Sequence, residues 1–200
     1  MTLDTRLYET HKAVFDSFEY EYVRQHYEDR VAERSRVPLI NHIHEGIVVL
    51  GELNASLHAK KAWCLHPLLQ ADADLARTVH HRGPFWEFDP HCILLAMEYR
   101  YRANAWLSDK VKKSVWQGRS GVERVHPEVQ VSGLPTPGDL EEVCHMLIAD
   151  KVQNCKDFLA HHKDTPPRSR ELEIYFGHWL KALDVDEEEF SALCAAIDSA

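Results

Sequence analysis

Apolar residues recur at helical spacing along almost the whole chain. In residues 6–34 they form one stripe, which consists of Leu7, Val14, Phe15, Phe18, Tyr22 and Val23. This spacing is typical of an amphipathic helix that buries one face. Later segments show the same periodicity, and none shows the alternation of a half-buried strand. The sequence therefore predicts an all-α fold, a single helical bundle.

Cap and turn residues mark the helix boundaries in the N-terminal half. A second helix is predicted after Pro38, and it ends around Asn54, a residue type that tolerates the left-handed conformation beyond a helix. Ser56 is a good N-cap for a third helix. A short helix over residues 72–81 and a loop over residues 82–88 complete this half of the chain.

The C-terminal half has boundaries of the same kind. Asp89 and Pro90 are the expected N-cap and first residue of the next helix. Residues 117–138 hold four glycines and three prolines, which predicts a long irregular connection that could act as a lid. A long helix follows, and two amphipathic helices with Ser169 and Asp186 as expected caps end the chain.

Composition narrows the classes of function. The chain has 200 residues, of which 44% are hydrophobic, and this is enough for a globular core. A net charge of −9 disfavours a nucleic-acid-binding protein, because phosphates are bound largely by lysine and arginine. No apolar run is long enough to cross a bilayer, and the five cysteines contain no C-x-x-C pair. Since the first residues also lack an apolar signal region, we expect a cytoplasmic protein with reduced thiols.

Two histidines and an aspartate have spacings that favour a metal site. His42 lies near the start of the second helix, and His66 follows 24 residues later in the third. Asp150 and Asn154 are four residues apart, so both face the same side of the long helix. Two imidazoles and a carboxylate can bind a transition-metal ion and leave positions open for water and substrate. Asn154 is then placed to position the substrate or a water.

These residues carry a resemblance to a known family. The segments "NHIHEGIVVLGELNA…AWCLHP" and "LIADKVQN" resemble the HD-domain metal-dependent phosphohydrolases, most of all the (p)ppGpp hydrolase domain of RelA/SpoT proteins. The resemblance is close over residues 37–72 and 143–158. It implies that His42, His66 and Asp150 are metal ligands. It also implies one HD-type domain over residues 1–200, with a core at about 37–160 and the helices of 169–200 packed on it.

The sequence departs from the family at the acidic positions. The family's His-Asp doublet is His66-Pro67 here, so one ligand is missing. Gln70 stands where the family has an acidic pair, and an amide cannot transfer a proton as a carboxylate does. Asp72, just beyond, and Glu98, from the next helix, are therefore the candidate bases, and Glu98 is also a candidate replacement ligand.

Several of these residues have a second interpretation. Lys151 and either Arg100 or Arg102 are candidates to meet a phosphate. Arg102 is four residues beyond Glu98, however, so these two side chains could instead form an ion pair within the helix. A proline inside a helix, such as Pro67, destabilises the helix by about 3 kcal/mol. We therefore expect the helix either to end at His66 or to kink there.

The resemblance implies a phosphohydrolase that acts on a nucleotide or a related small phosphate ester. It would use a divalent metal ion, which is Mn²⁺ or else Zn²⁺, Fe²⁺ or Mg²⁺, and its partner would be a small phosphorylated ligand. Neither nucleic acid nor a membrane is expected as a partner, and a homo-oligomer stays open. The alternative is an HD fold without catalysis that binds a nucleotide or a protein, which the changes at Pro67 and Gln70 favour.

Overall fold

The computed structural model describes residues 4–32, 36–80, 84–107, 135–164 and 168–200. These residues form ten α-helices and one 3₁₀ turn, and they contain no strand, so the predicted all-α class is confirmed. None of the described helices combines the length and the apolar character that crossing a bilayer requires. The helices are α1 Thr5–Thr10, α2 Lys12–Phe15, α3 Phe18–Tyr27, α4 Ile40–Glu52, α5 Leu57–Gln70, α6 Asp72–His80, α7 Pro90–Leu107, α8 Pro137–His161, α9 Ser169–Ala182 and α10 Glu187–Ser199, with the 3₁₀ turn at Pro84–Glu87.

Helix α5 is the centre of the bundle. It packs against α3, α4, α6, α7 and α8, and residues on all of its sides are buried. The main hydrophobic cluster extends from Leu7 in α1 to Ile197 in α10, so the first and last helices share this core. Because α10 packs on α4 and α8, the C-terminal helices cover the elements that carry the predicted site.

The N-terminal segment forms three short helices, whereas its apolar stripe predicts one continuous helix. The expectation of one continuous helix over residues 6–34 is wrong, because α1, α2 and α3 are separate. Ser17 lies before α3 in an extended conformation, and its hydroxyl accepts a hydrogen bond from the Tyr20 backbone N–H at 3.2 Å. A serine that caps a new helix ends the previous one, and periodicity alone does not show this.

Most of the predicted boundaries are confirmed. Asn54 has a φ of 55° beyond α4, and Ser56 caps α5 by accepting from the Ala59 N–H at 3.1 Å. Asp89 accepts from the His91 N–H at 2.8 Å, directly before α7. Asp186 caps α10.

Other boundaries differ from the prediction. Helix α8 begins at Pro137 and not after Gly138, since Thr136 and Asp139 cap it reciprocally. The rest of the predicted irregular connection, up to residue 134, lies outside the described residues. Ser169 is the first helical residue of α9 and not its cap. The loop predicted over residues 82–88 contains the 3₁₀ turn.

Helix α5 continues through Pro67 and ends at Gln70, so the expectation that a helix ends at His66 is wrong. Its last carbonyl groups find partners on neighbouring helices. The Thr78 hydroxyl of α6 donates to the Leu68 carbonyl at 3.1 Å, and the Asn104 amide of α7 donates to the Gln70 carbonyl at 3.2 Å. The helix end beyond the proline is therefore held by α6 and α7.

Trp63 fixes the contact between α4 and α5. Its side chain is fully buried, and its indole N–H donates to the Ile43 carbonyl at 3.1 Å. The indole lies directly against Gly46, where a β-carbon would overlap with the ring. Only a glycine at this position lets the indole reach α4.

We expect Gly46→Ala to lower the free energy of unfolding by about 1–3 kcal/mol, because the added methyl group overpacks a core that cannot yield. Gly177→Ala is the matched control, since a β-carbon on Gly177 in α9 has nothing within 4 Å. This control should be neutral or stabilising by up to about 1 kcal/mol, because alanine favours a helix more than glycine does. Urea unfolding measures both. Equal effects of the two substitutions would contradict the assigned role of Gly46.

Candidate metal centre

Helices α4, α5 and α8 bring three predicted ligands together. His42, His66 and Asp150 each offer one ligand atom, and these atoms lie within 4.8 Å of one another. The two histidine Nε2 atoms are 3.1 Å apart, and His42 Nε2 is 3.9 Å from Asp150 Oδ1. Donors bound at about 2 Å from one ion have separations of this size. The group could therefore hold a metal ion.

The tautomer of His66 is fixed by its backbone contact. His66 Nδ1 lies 2.6 Å from the Trp63 carbonyl oxygen, which can only accept, so Nδ1 carries the proton. Burial, and after it the neighbouring His42, lowers the pKa of His66 to about 3. The ring is thus neutral near pH 7, and the lone pair on Nε2 points toward His42 and Asp150.

Pro67 explains why the Trp63 carbonyl is available. In an α-helix the N–H of residue 67 would donate to the carbonyl of residue 63. Proline has no N–H, so this carbonyl loses its helical donor while the helix continues. His66 Nδ1 takes the vacated acceptor. The proline thereby fixes the orientation of the adjacent histidine.

A glutamine fixes the tautomer of His42. His42 Nδ1 lies 2.7 Å from Gln153 Oε1. The amide nitrogen of Gln153 donates to Glu45 Oε2 at 3.1 Å and to Asp157 Oδ2 at 2.9 Å, which determines which end of the amide faces the histidine. His42 Nδ1 is therefore a donor, and Nε2 is directed into the centre. Gln153 was not among the predicted site residues, although it lies one turn beyond Asp150 on the same helix.

The fixed imidazole rings of His42 and His66 favour the binding of a cation between them. Both imidazoles pack against the Trp63 indole, with ring centroids 4.9 Å away for His42 and 4.1 Å for His66. Two nitrogen lone pairs 3.1 Å apart repel each other unless a proton or a metal ion lies between them. Histidines that bind metals commonly donate the other ring N–H in this way. The donor set thus fits a divalent ion that accepts nitrogen and oxygen ligands, such as Mn²⁺, Fe²⁺ or Zn²⁺.

Both oxygens of Asp150 are engaged within the protein. Asn154 Nδ2 donates to Oδ1 at 2.7 Å, and Lys151 Nζ donates to Oδ2 at 2.5 Å. Burial tends to raise the pKa of Asp150, but the charge and hydrogen bond of Lys151 and the two nearby histidines together outweigh burial, and the pKa lies below its usual value. Asp150 is therefore an anion, and its Oδ1 is the oxygen nearer His42.

Lys151 is buried against aromatic rings. Its ammonium lies 4.8 Å from the ring centroid of Trp179 and 5.6 Å from that of Tyr175, whose hydroxyl accepts from it at 3.3 Å. The lysine predicted to meet a phosphate thus already balances the charge of Asp150. It can still face a ligand, because it lines the adjoining cleft.

The ligand group lies at the wall of a cleft of about 450 Å³. The lining combines polar, aromatic and aliphatic side chains. The polar residues are His42, Gln70, Asp150, Lys151, Gln153, Asn154 and Asp157, and the aromatic residues are Tyr27, Tyr175 and Phe176. A small molecule with a planar group and a polar end fits such a lining.

Three predicted residues lie outside the ligand group. The Asp72 side chain is 96% exposed and forms an ion pair with Arg100. Glu98 is buried, but it pairs with Arg102, whose Nη2 lies 4.0 Å from Glu98 Oε2. The alternative interpretation of Glu98 is thus confirmed, and the structure does not bring Asp72, Glu98 or Arg100 to the centre.

Helix α7 instead contributes Tyr99. The side chain is fully buried, and its ring centroid lies 5.0 Å from that of His66. Burial, and after it the charge of Asp150, raises the pKa of Tyr99 well above its usual value. No described residue forms a hydrogen bond of ordinary geometry with its hydroxyl. Sequence reasoning selected the carboxylate of Glu98, but one residue along a helix turns the side chain by about 100°.

We expect Lys151→Met to lower the free energy of unfolding of the metal-free protein by about 3–5 kcal/mol, because Asp150 becomes an unpaired buried charge. Mn²⁺ should restore much of this loss, since the ion replaces the missing positive charge. Lys156→Met is the control, because Lys156 pairs with Glu45 and Asp198 nearer the surface. Urea unfolding with and without Mn²⁺ measures these effects. A loss that Mn²⁺ does not reduce would contradict the charge balance.

We expect Pro67→Ala to loosen His66 while helix α5 persists, because the new N–H competes for the Trp63 carbonyl. Nitrogen-15 NMR of the histidine side chains should then show a larger fraction of the Nε2–H tautomer of His66, and Mn²⁺ affinity should fall about tenfold. Pro90→Ala, at the first residue of α7, is the control and should change neither. An unchanged tautomer in Pro67→Ala would show that Pro67 does not act through this carbonyl.

Comparison with known proteins returned no match: no family model, no curated protein and no solved structure matches this chain.

Proposed function

We propose that this protein is a metal-dependent phosphohydrolase of the HD type, which acts on a nucleotide or a related small phosphate ester such as a (p)ppGpp-like or dNTP-like compound. The observation that carries the proposal is the convergence of His42 Nε2, His66 Nε2 and Asp150 Oδ1 at the wall of a cleft. Both histidines hold their Nδ1 protons in hydrogen bonds that point away from the centre. The spacing of these three residues is also the basis of the resemblance to HD-domain enzymes.

The chain's own residues have separate tasks in this proposal. A divalent ion held by the three ligands would lower the pKa of a water and polarise a phosphoryl oxygen. Asn154 keeps Asp150 Oδ1 in place, and Gln153 keeps His42 in place. Lys151 lies at the polar wall, where its positive charge favours a phosphate group. The aromatic side chains of the cleft suit a planar base, because bases stack on aromatic rings.

The general base is a residue other than Asp72 and Glu98. Asp72 and Glu98 lie in ion pairs outside the ligand group. Among the described residues that line the cleft, Asp157 is the carboxylate other than Asp150. Its Oδ2 accepts from Gln153, which also contacts His42, so Asp157 is connected to the ligand group through one side chain. We assign Asp157 the task of accepting a proton from the attacking water.

A second function is favoured by two specific observations. The ammonium of Lys151 balances the charge of Asp150 without any metal, and Pro67 replaces a carboxylate that the family uses as a ligand. Both features suit a catalytically silent HD fold that binds a nucleotide or a protein partner. Such a protein would bind its ligand in the cleft without a metal ion.

We expect the purified protein to bind one Mn²⁺ per chain and to release phosphate or pyrophosphate from a nucleotide. Elemental analysis and isothermal titration calorimetry measure the ion, and a hydrolysis screen with nucleoside di-, tri- and tetraphosphates, ppGpp included, measures the activity. His66→Ala and Asp150→Asn should abolish both. His58→Ala is the control, because His58 is half-exposed and pairs with Asp89 outside the centre.

Two outcomes separate the candidate functions. A metal-free protein that stays inactive with Mn²⁺ across the whole screen would overturn the enzyme proposal. If equilibrium dialysis then shows that the same protein binds a nucleotide, and that a bulky substitution such as Asn154→Trp in the cleft removes this binding, the silent nucleotide-binding function is supported.

A further inference from the structure

Pro67 leaves the proposed centre short of one protein oxygen. Within the described residues the ligand group has three members, His42, His66 and Asp150. Ions with this type of donor set take at least four ligands, and the remaining positions go to water. A water bound in a buried site needs hydrogen-bond partners of its own.

Tyr99 has a hydroxyl group that needs a partner. The side chain is 0% exposed, so bulk water does not reach it, and no hydrogen bond of ordinary geometry joins its oxygen to a described residue. Buried polar groups without a partner are rare in proteins, because such a group loses its bonds to water on folding. A buried hydroxyl without a well-formed hydrogen bond therefore leaves room for a partner that the chain itself does not supply.

The position of this hydroxyl is the metal centre. The Tyr99 ring packs against the ring of His66, and the hydroxyl is close enough to Asp150 for its charge to act on it. Asp150 is a candidate partner within the chain, but its contact with the hydroxyl falls short of ordinary hydrogen-bond geometry, and its two oxygens also accept from Asn154 and Lys151. The free hydroxyl and the free coordination position thus occur at the same ligand group.

We propose that Tyr99 is the fourth protein group of the metal centre, and that its hydroxyl hydrogen-bonds to a water that the ion carries in the position left open by Pro67. The neutral phenol takes over a place that a carboxylate holds in the family, but it acts through the water and adds no charge. This inference rests on the proposed metal centre and extends it by a positioning residue on α7. It does not depend on which phosphate ester is the substrate.

The test is Tyr99→Phe, which removes the hydroxyl and keeps the ring. Without metal the substitution removes an unpaired polar atom, so the midpoint of urea unfolding should stay the same or rise. With the ion present a hydrogen bond is lost, so the dissociation constant for Mn²⁺, measured by isothermal titration calorimetry without substrate, should rise about tenfold. A purely structural tyrosine would produce neither this combination nor a selective loss of metal affinity.

Tyr20→Phe is the matched control. Tyr20 is also buried, but its hydroxyl has a partner in His44 Nε2 at 2.8 Å. Its removal should lower the unfolding midpoint of the metal-free protein and leave the Mn²⁺ dissociation constant unchanged. We thus expect opposite results from the two variants, although each of them loses only a tyrosine hydroxyl.

The outcomes also separate this inference from the proposed function. If the wild-type protein binds Mn²⁺ and Tyr99→Phe binds it equally well, the role of Tyr99 is overturned while the metal centre stands. If Tyr99→Phe lowers the metal-free unfolding midpoint as much as Tyr20→Phe does, the hydroxyl has another partner and the inference fails. If the wild-type protein binds no Mn²⁺ in the same titration, both the inference and the proposed function fail.

Discussion

The geometry of the centre depends on the packing of one indole ring. Trp63 lies between α4 and α5, where Gly46 makes room for it and the Ile43 carbonyl accepts its N–H. Both imidazoles rest on this ring, and the backbone carbonyl of the same residue binds His66. A rigid aromatic platform holds two lone pairs at a separation that they would not otherwise keep. The close approach of His42 and His66 thus depends on Gly46, because only a glycine leaves room for the Trp63 ring that both imidazoles contact.

The charges of the site form a second constraint. Asp150 is buried as an anion, and such a group is tolerated only when it is paired and hydrogen-bonded. Lys151 and Asn154 fulfil this requirement within one turn of the same helix, and the rings of Tyr175 and Trp179 in α9 shelter the ammonium. The folded chain is therefore electrically balanced before any ion arrives. A metal ion would therefore add positive charge to a site in which Lys151 already balances the charge of Asp150.

The sequence predicted the parts of the site that depend on spacing, and it missed those that depend on packing. His42, His66 and Asp150 could be found because helical periodicity and the spacing of the three residues both refer to positions along the chain. The contribution of α7 could not be predicted from the sequence, since the choice between Glu98 and Tyr99 depends on how that helix is rotated against α5. The same limit applies to the N-terminal helices, where the single hydroxyl of Ser17 outweighs a continuous apolar stripe.

The three ligands come from helices that are far apart in the chain, and this has a consequence for the order of assembly. His42 and His66 leave the ribosome early, but Asp150 follows only after the whole of α6 and α7 has been made. No nascent fragment that lacks α8 can hold an ion with all three ligands. An ion that binds only the complete bundle would stabilise it by mass action as a whole. Metal occupancy would then mark finished molecules, and a chain truncated before α8 would remain without this stabilisation.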